Sequence, residues 1–195
     1  MKMFTSSDSV LMLIDHQVGT MKLIQNIPFE VVKRNTLALA KAAKVLGVPI
    51  VLTTGTETKF QGPLLPEFEE LFPEEYAARI QRGGIVNTWN DLEFRGAVEQ
   101  TRRRNLIMAG ATTDVCVMPP AISARQDGYQ VQVVLDASGS PYEYSEEAAR
   151  RRMVQEGVVL TATNTMIAEL AQDWSRPEGG EVLQIMKNEV LPKVF

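Results

Sequence analysis

Short apolar runs recur along this chain, each closed by an acid, a glycine or a threonine and each separated from the next by helical sequence. Val10-Leu11-Met12-Leu13-Ile14 ends at Asp15, and Val48-Pro49-Ile50-Val51-Leu52 ends at Thr53. Asn105-Leu106-Ile107-Met108-Ala109 ends at Gly110, Val131-Gln132-Val133-Val134-Leu135 ends at Asp136, and Val158-Val159-Leu160 is a shorter fifth run. Runs without polar alternation are strands covered on both faces. Between them lie Phe29 to Leu46, closed by Gly47 as a C-cap, Asp91 to Arg102, Pro120 to Gln126 before Gly128, Ser145 to Gln155 with Ser145 as cap, and Asn164 to Gln172, all with helical character. Gly55 to Pro66 has no period and holds Gly62, Pro63 and Pro66, so it reads as a loop. Buried strands alternating with helices specify an α/β fold: a three-layer, Rossmann-like parallel sheet with helices on both faces.

At 195 residues the chain suits a single domain over 1–195. The composition changes after Trp174 to Gly180, and in the tail 175–195 Val182, Leu183, Ile185, Met186, Val190, Leu191, Val194 and Phe195 fall at roughly helical spacing. Such a tail buries itself on its own domain or on a neighbouring subunit, and the subunit contact is the expectation. A net charge of −4 argues against a nucleic-acid partner. The blocks Arg102-Arg103-Arg104 and Arg150-Arg151-Arg152 read as solvated helix faces. Val10 to Ile14 is too short for a signal core or a membrane span, and one cysteine forms no internal disulfide, which together predict a cytoplasmic protein with no membrane partner.

In an open parallel sheet, ligands and chemistry collect at the carboxyl ends of the strands. Two reactive groups fall there: Asp15 after the first run, and Cys116 in Gly110-Ala111-Thr112-Thr113-Asp114-Val115-Cys116-Val117. A lone cysteine is more often a small core hydrophobe, but this one stands beyond a glycine and two threonines instead of inside the run. An acid ending a strand can equally be a loop residue bonded to backbone. Side by side, however, the carboxylate can take the thiol proton and return it to a leaving group. Pro119 and Pro120 suit the first turn of a helix, which places the regular helix start near Pro119 and Cys116 in the turn before it, where the helix dipole favours a thiolate. His16, the single histidine, follows Asp15 directly and points to the opposite side, which disfavours a Cys–His dyad. One histidine and one cysteine also make a zinc site of the usual kind a poor fit, and no metal is expected.

The motif Asp15-His16-Gln17, the block from Gly110 to Val117, and Gly128-Tyr129-Gln130-Val131 leading to Asp136-Ala137 together resemble the isochorismatase-like cysteine hydrolases. Arg82-Gly83-Gly84 to Asn87-Thr88-Trp89-Asn90, then Phe94, with Leu52-Thr53-Thr54 and Asp136-Ala137-Ser138-Gly139, are similar to the YcaC-like branch of that family. The resemblance spans Asp15 to about Trp174. It implies a sheet of about six parallel strands, an Asp-Lys-Cys triad, and a non-proline cis peptide that here falls at Ala111-Thr112. It further implies a homo-oligomer, with an octamer as its candidate size. The backbone N–H groups of Thr112 and Cys116 are then the candidates for an oxyanion hole.

The chain departs from that pattern at the lysine, since none occurs between Lys59 and Lys187. Arg82 takes the corresponding place, with Arg79 and Lys59 as alternatives and a surface salt bridge as the competing role for Arg82. Arginine stays protonated, so Arg82 supplies fixed charge that stabilises the thiolate and holds Asp15 ionised, but carries no proton. The metal-dependent nicotinamidases of the family need an Asp and two histidines, which this chain cannot supply. The isochorismatases proper lack the nucleophilic cysteine.

The resulting expectation is a hydrolase without a cofactor, acting on a small amide or related C–N substrate through a Cys116 thioester, with an Asp15, Arg82, Cys116 triad. Gln17, Phe60 and Trp89 are the candidate substrate-binding side chains. The alternative is a non-catalytic small-molecule-binding or assembly protein on the same scaffold. A nucleotide-binding module is disfavoured, because no Gly-x-Gly-x-x-Gly or Walker-type loop follows a strand.

Overall fold

The computed structural model describes residues 2–192. The apolar runs form one parallel sheet: β1 (Ser9–Ile14), β2 (Ile50–Gly55), β3 (Ile80–Arg82), β4 (Asn105–Gly110), β5 (Gln130–Val134) and β6 (Val159–Thr161). The strand order is β3-β2-β1-β4-β5-β6, so the chain reverses its direction of growth between β3 and β4. Ligand crevices in such sheets open where the order reverses, here at the carboxyl ends of β1 and β4.

The sheet separates two cores. Leu11, Leu13, Ile107 and Ala109 face one side and pack with Leu39 and Ala43 of α1 (Phe29–Val45), Ile167 of α7 (Thr163–Ala171) and Val182 of α8 (Pro177–Ile185). Val10, Met12, Ile14, Leu106 and Met108 face the other, with Phe94 and Val98 of α4 (Leu92–Gln100), Ala121 of α5 (Met118–Gln126) and Met153 of α6 (Glu143–Gln155). The period of two along strands that are apolar throughout is what demands a helical layer on each face.

Three short elements carry no readable period. β3 has three residues with an exposed Gln81 at its centre, and α2 (Pro66–Leu71) and α3 (Pro73–Ala77) are one or two turns each, opened by a proline. One further expectation is corrected. Ser145 does not cap α6, which starts at Glu143; its hydroxyl donates to the Tyr142 carbonyl at 3.0 Å. The tail turns its apolar face inward: Val182 and Met186 are buried on the core of their own chain, Leu183, Val190 and Leu191 pack against it, and Lys41 holds Glu189 at 2.8 Å. Leu183, Ile185, Val190 and Leu191 are only half-buried, and Val194 and Phe195 lie outside the described residues. No described helix is long and apolar enough to cross a membrane.

Candidate active site

β1 and β4 run in register, with Leu13 opposite Ala109 and Ile14 opposite Gly110. The Ala111 N–H continues the ladder onto the Ile14 carbonyl at 3.0 Å, so the turns that follow the two strands leave the sheet side by side. Gly110 is required by this approach, since a Cβ there would stand 2.4 Å from the Ile14 carbonyl oxygen. Asp15 adopts φ +56, a conformation that Asp tolerates better than most residues. Its N–H still bonds Thr53 O of β2 at 3.0 Å, so the kink falls right at the strand end.

That kink separates Asp15 from His16. The imidazole is fully buried on the α1 side, its Nε2 2.9 Å from Ala137 O and 3.1 Å from Thr36 Oγ1. Burial lowers its pKa to about 4, which leaves it neutral. His16 is therefore a packing residue with no part in a dyad.

The Ala111-Thr112 peptide is cis. Beyond it Thr113 donates to Gly139 O at 2.8 Å, and Thr113–Val117 forms a single π-helical turn that carries Cys116 into α5 at Met118. The Cys116 N–H donates to Thr112 O at 2.8 Å and is already occupied, which corrects the expected pair of oxyanion donors. The Thr112 N–H bonds no backbone carbonyl among the described residues and is turned toward the Cys116 sulfur, which leaves it the donor beside the reacting atom.

Arg82 is buried instead of bridging on the surface. Its side chain is 2% exposed and that of Asp15 is 8% exposed. From β3 its Nη2 pairs with Asp15 Oδ1, its Nε donates to Thr53 Oγ1 at 2.9 Å, and its Nη1 donates to Ile85 O at 2.7 Å. The two alternatives lie elsewhere: Arg79 pairs with Glu57 at 2.7 Å, and Lys59 is exposed. Burial pushes the Asp15 carboxyl up, against the opposing pull of Arg82, the thiol and the Gly55 N–H. Burial also pushes the Cys116 thiol up, and the facing Asp15 carboxylate adds to it; the help from the Thr112 backbone and from Arg82 is smaller. The expected thiolate is thus overturned for the resting site. Low solvation and an acid at close range outweigh the helix dipole, so Cys116 rests as a thiol.

Two of the three candidate substrate-binding side chains are already engaged by the protein. Gln17 is buried and spends both ends of its amide on Gly55 and Gly62. Trp89 is 2% exposed, edge-on to Tyr129, with its Nε1 donating to Asp127 Oδ2 at 2.8 Å. Phe60 is 64% exposed at the tip of the loop after β2. Sequence reasoning missed Thr53, Gly55 and the Ile85 carbonyl as parts of the site. Only the position of Thr53 at a strand's carboxyl end signalled any of them. No group of three or more His, Cys, Asp or Glu side chains among the described residues is placed to hold a metal ion.

Residues 9–165 match the isochorismatase domain. The Escherichia coli (strain K12) protein described as probable hydrolase YcaC is 40% identical over 168 residues, covering 86% of this chain and 80% of that protein. The crystal structure of the Escherichia coli YcaC gene product, described as an octameric hydrolase of unknown specificity, aligns with TM-score 0.92 at 37% identity, over 97% of this chain and 92% of that one. YcaC from Pseudomonas aeruginosa, with hexane-2,5-diol and covalent acrylamide, aligns with TM-score 0.91 at 36% identity and the same coverage.

Proposed function

The chain belongs to the isochorismatase family of hydrolases, in its YcaC-like branch, and on that premise we propose that it is a cysteine hydrolase of small amides or related C–N substrates. The observation that carries this reading is the buried series Arg82, Asp15, Cys116, in which one carboxylate faces a fixed cation on one side and a protonated thiol on the other.

Asp15 takes the thiol proton as Cys116 Sγ attacks the substrate carbonyl carbon, and the Thr112 N–H meets the oxygen that gains charge. Asp15 then passes the proton to the leaving nitrogen, and an acyl thioester remains on Cys116. Water attacks the thioester, Asp15 accepts its proton, and the proton returns to the departing thiolate. Every proton moves through Asp15, because Arg82 stays charged throughout. The resting proton on Cys116 makes ionisation part of the attack, so the nucleophile forms only against a bound substrate. These steps use side chains, backbone and water alone.

The relatives add support. Acrylamide, covalent in the Pseudomonas aeruginosa YcaC structure, joins a small amide to an electrophilic double bond of the kind thiols attack. The octameric Escherichia coli relative supports a homo-oligomer for this chain, which light scattering tests directly. A single free thiol at the reacting position suits the reducing cytoplasm.

The test is hydrolysis of a panel of small primary amides by wild type, Cys116→Ala and Asp15→Asn, with mass spectrometry for an acyl adduct on Cys116. Loss of turnover in Cys116→Ala and a drop of about a hundredfold or more in Asp15→Asn are expected. Equal turnover by wild type and Cys116→Ala overturns the thiol mechanism, and no turnover by either leaves the binding or assembly role.

A further inference from the structure

Helix α6 is acidic in its first half and basic in its second. Glu143, Glu146 and Glu147 fall in its first two turns, and Arg150, Arg151 and Arg152 follow. The helix dipole favours that order of signs on a solvated face. It does not account for the apolar side chains at the two ends of the exposed stripe. Three- and four-residue steps put Tyr144, Glu147, Ala148, Arg151 and Val154 on one face, opposite the buried Glu146, Ala149 and Met153. Tyr144 is 73% exposed and Val154 57%. Tyr142, also exposed, stacks on Tyr144 with ring centroids 5.1 Å apart and planes inclined by 8°, so the two rings form one plate. Between the apolar ends, Arg151 pairs with Glu147 at 2.7 Å, and both side chains reach solvent.

The stripe is complementary to itself. Tyr144 lies five positions before residue 149 and Val154 five after it; Glu147 lies two before and Arg151 two after. A second α6 laid antiparallel across a twofold axis at that level meets apolar with apolar and acid with base, each twice over. Ala148 is the exposed side chain beside that axis, and a methyl group there lets two helices approach to about 8 to 10 Å. An open groove of about 420 Å³ runs between α6 and the edge strand β6, lined by Val154, Leu160, Arg150 and Arg151.

We infer that this face of α6 is a docking surface for a second copy of the chain, joined antiparallel across a twofold axis beside Ala148. The inference rests on the homo-oligomer that the octameric Escherichia coli relative supports, and it adds the surface and the direction of packing. The occupant is a second copy because the two halves of the stripe match each other, which an unrelated partner would not require. Tyr144 of the second copy arrives at Val154 and the groove, where it finds apolar side chains with guanidinium groups beside them. Each Glu147 gains the second copy's Arg151 beside its own, which closes a ring of four alternating charges. One exposed pair contributes little, and the network contributes more.

The test reads the mass of the full-length chain by native mass spectrometry and light scattering. Wild type is expected to form an oligomer. Glu147→Arg and Arg151→Glu each set like charges against each other across the axis, and Ala148→Arg places two bulky cations beside it. Each variant is expected to lose at least half of the wild-type mass, while circular dichroism stays that of wild type. Mixing Glu147→Arg with Arg151→Glu in equal amounts is decisive. The mixture restores the contacts between copies and leaves the pair within each chain broken, so mass regained only on mixing supports the inference. A wild-type monomer overturns both the homo-oligomer and the present inference. A wild-type oligomer whose mass survives in Ala148→Arg, or in the two charge variants, overturns the inference alone and leaves the face to solvent or to another partner. A mixture that stays at the reduced mass overturns it as well.

Discussion

Arg82, on the edge strand β3, reaches across the end of β2 to pair its guanidinium with the carboxylate of Asp15 at the end of β1, with both side chains almost wholly buried. The remaining guanidinium donors go to Thr53 and to the Ile85 carbonyl, so the cation is locked in place and its charge is directed first at Asp15 and only weakly at Cys116.

Removing that cation leaves a buried carboxylate alone. Arg82→Met is expected to lose about 3 kcal/mol of stability at pH 7 in urea denaturation. The deficit shrinks as the pH falls, because an unpaired Asp15 takes up a proton. A deficit independent of pH would show that the loss is one of packing.

Cys116 should react through Asp15 and not as a free thiolate. The carbamidomethylation rate of a free cysteine rises about tenfold per pH unit below its pKa of about 8.5. With the Cys116 thiol pushed up by burial and by Asp15, the wild-type rate between pH 7 and 8.5 is expected to stay nearly flat. A tenfold rise per unit would mean that the thiol ionises independently of its neighbour.

His16 makes folding sensitive to acid. Its pKa is lowered from 6.5 to about 4 in the fold, so the unfolded chain binds the extra proton in that interval and stability falls as pH drops through it. The loss approaches about 3 kcal/mol by pH 4. Asp15, raised by burial, works in the opposite sense, so the comparison is between wild type and His16→Leu. The variant should lack the histidine part of the slope when urea denaturation is followed from pH 7 to pH 4.5.

Gly19 permits the close approach of the 55–62 loop. A Cβ at that position would stand 1.8 Å from the Phe60 carbonyl oxygen, a backbone atom that cannot swing aside. Gly19→Ala is expected to cost about 2 to 4 kcal/mol in urea denaturation.

Trp89 is a packing residue whose indole N–H bonds Asp127. Trp89→Phe should lose about 1 kcal/mol of stability and leave the pH profile of Cys116 alkylation unchanged. A shifted profile would place Trp89 in the site after all.

The sequence was most legible where a pattern was long and local. Runs such as Val10 to Ile14 and Leu106 to Ala109 could be read as doubly covered strands. Helices such as Phe29–Val45 showed their period, and the closing residues Asp15 and Cys116 could be placed at one edge. Three-residue β3 and the one-turn helices α2 and α3 were invisible for the opposite reason, since no period fits in so few residues. The tail was legible only in part, because an amphipathic stretch declares that it must be covered, not by what. Here the groove of α1 and α7 covers it within the chain.

By itself, then, the sequence determined the α/β class, the layering and the two reactive groups at the carboxyl edge, because burial period and strand-end chemistry are written residue by residue. Tertiary structure alone decided that Arg82 crosses β2 to reach Asp15, that the Cys116 N–H is already occupied, and that Gln17 grips Gly55 in place of a ligand. Those are choices of partner across the sheet, set by register and by which donor lies nearest an unsolvated acceptor. No local pattern in a chain encodes a distance between strands far apart in it.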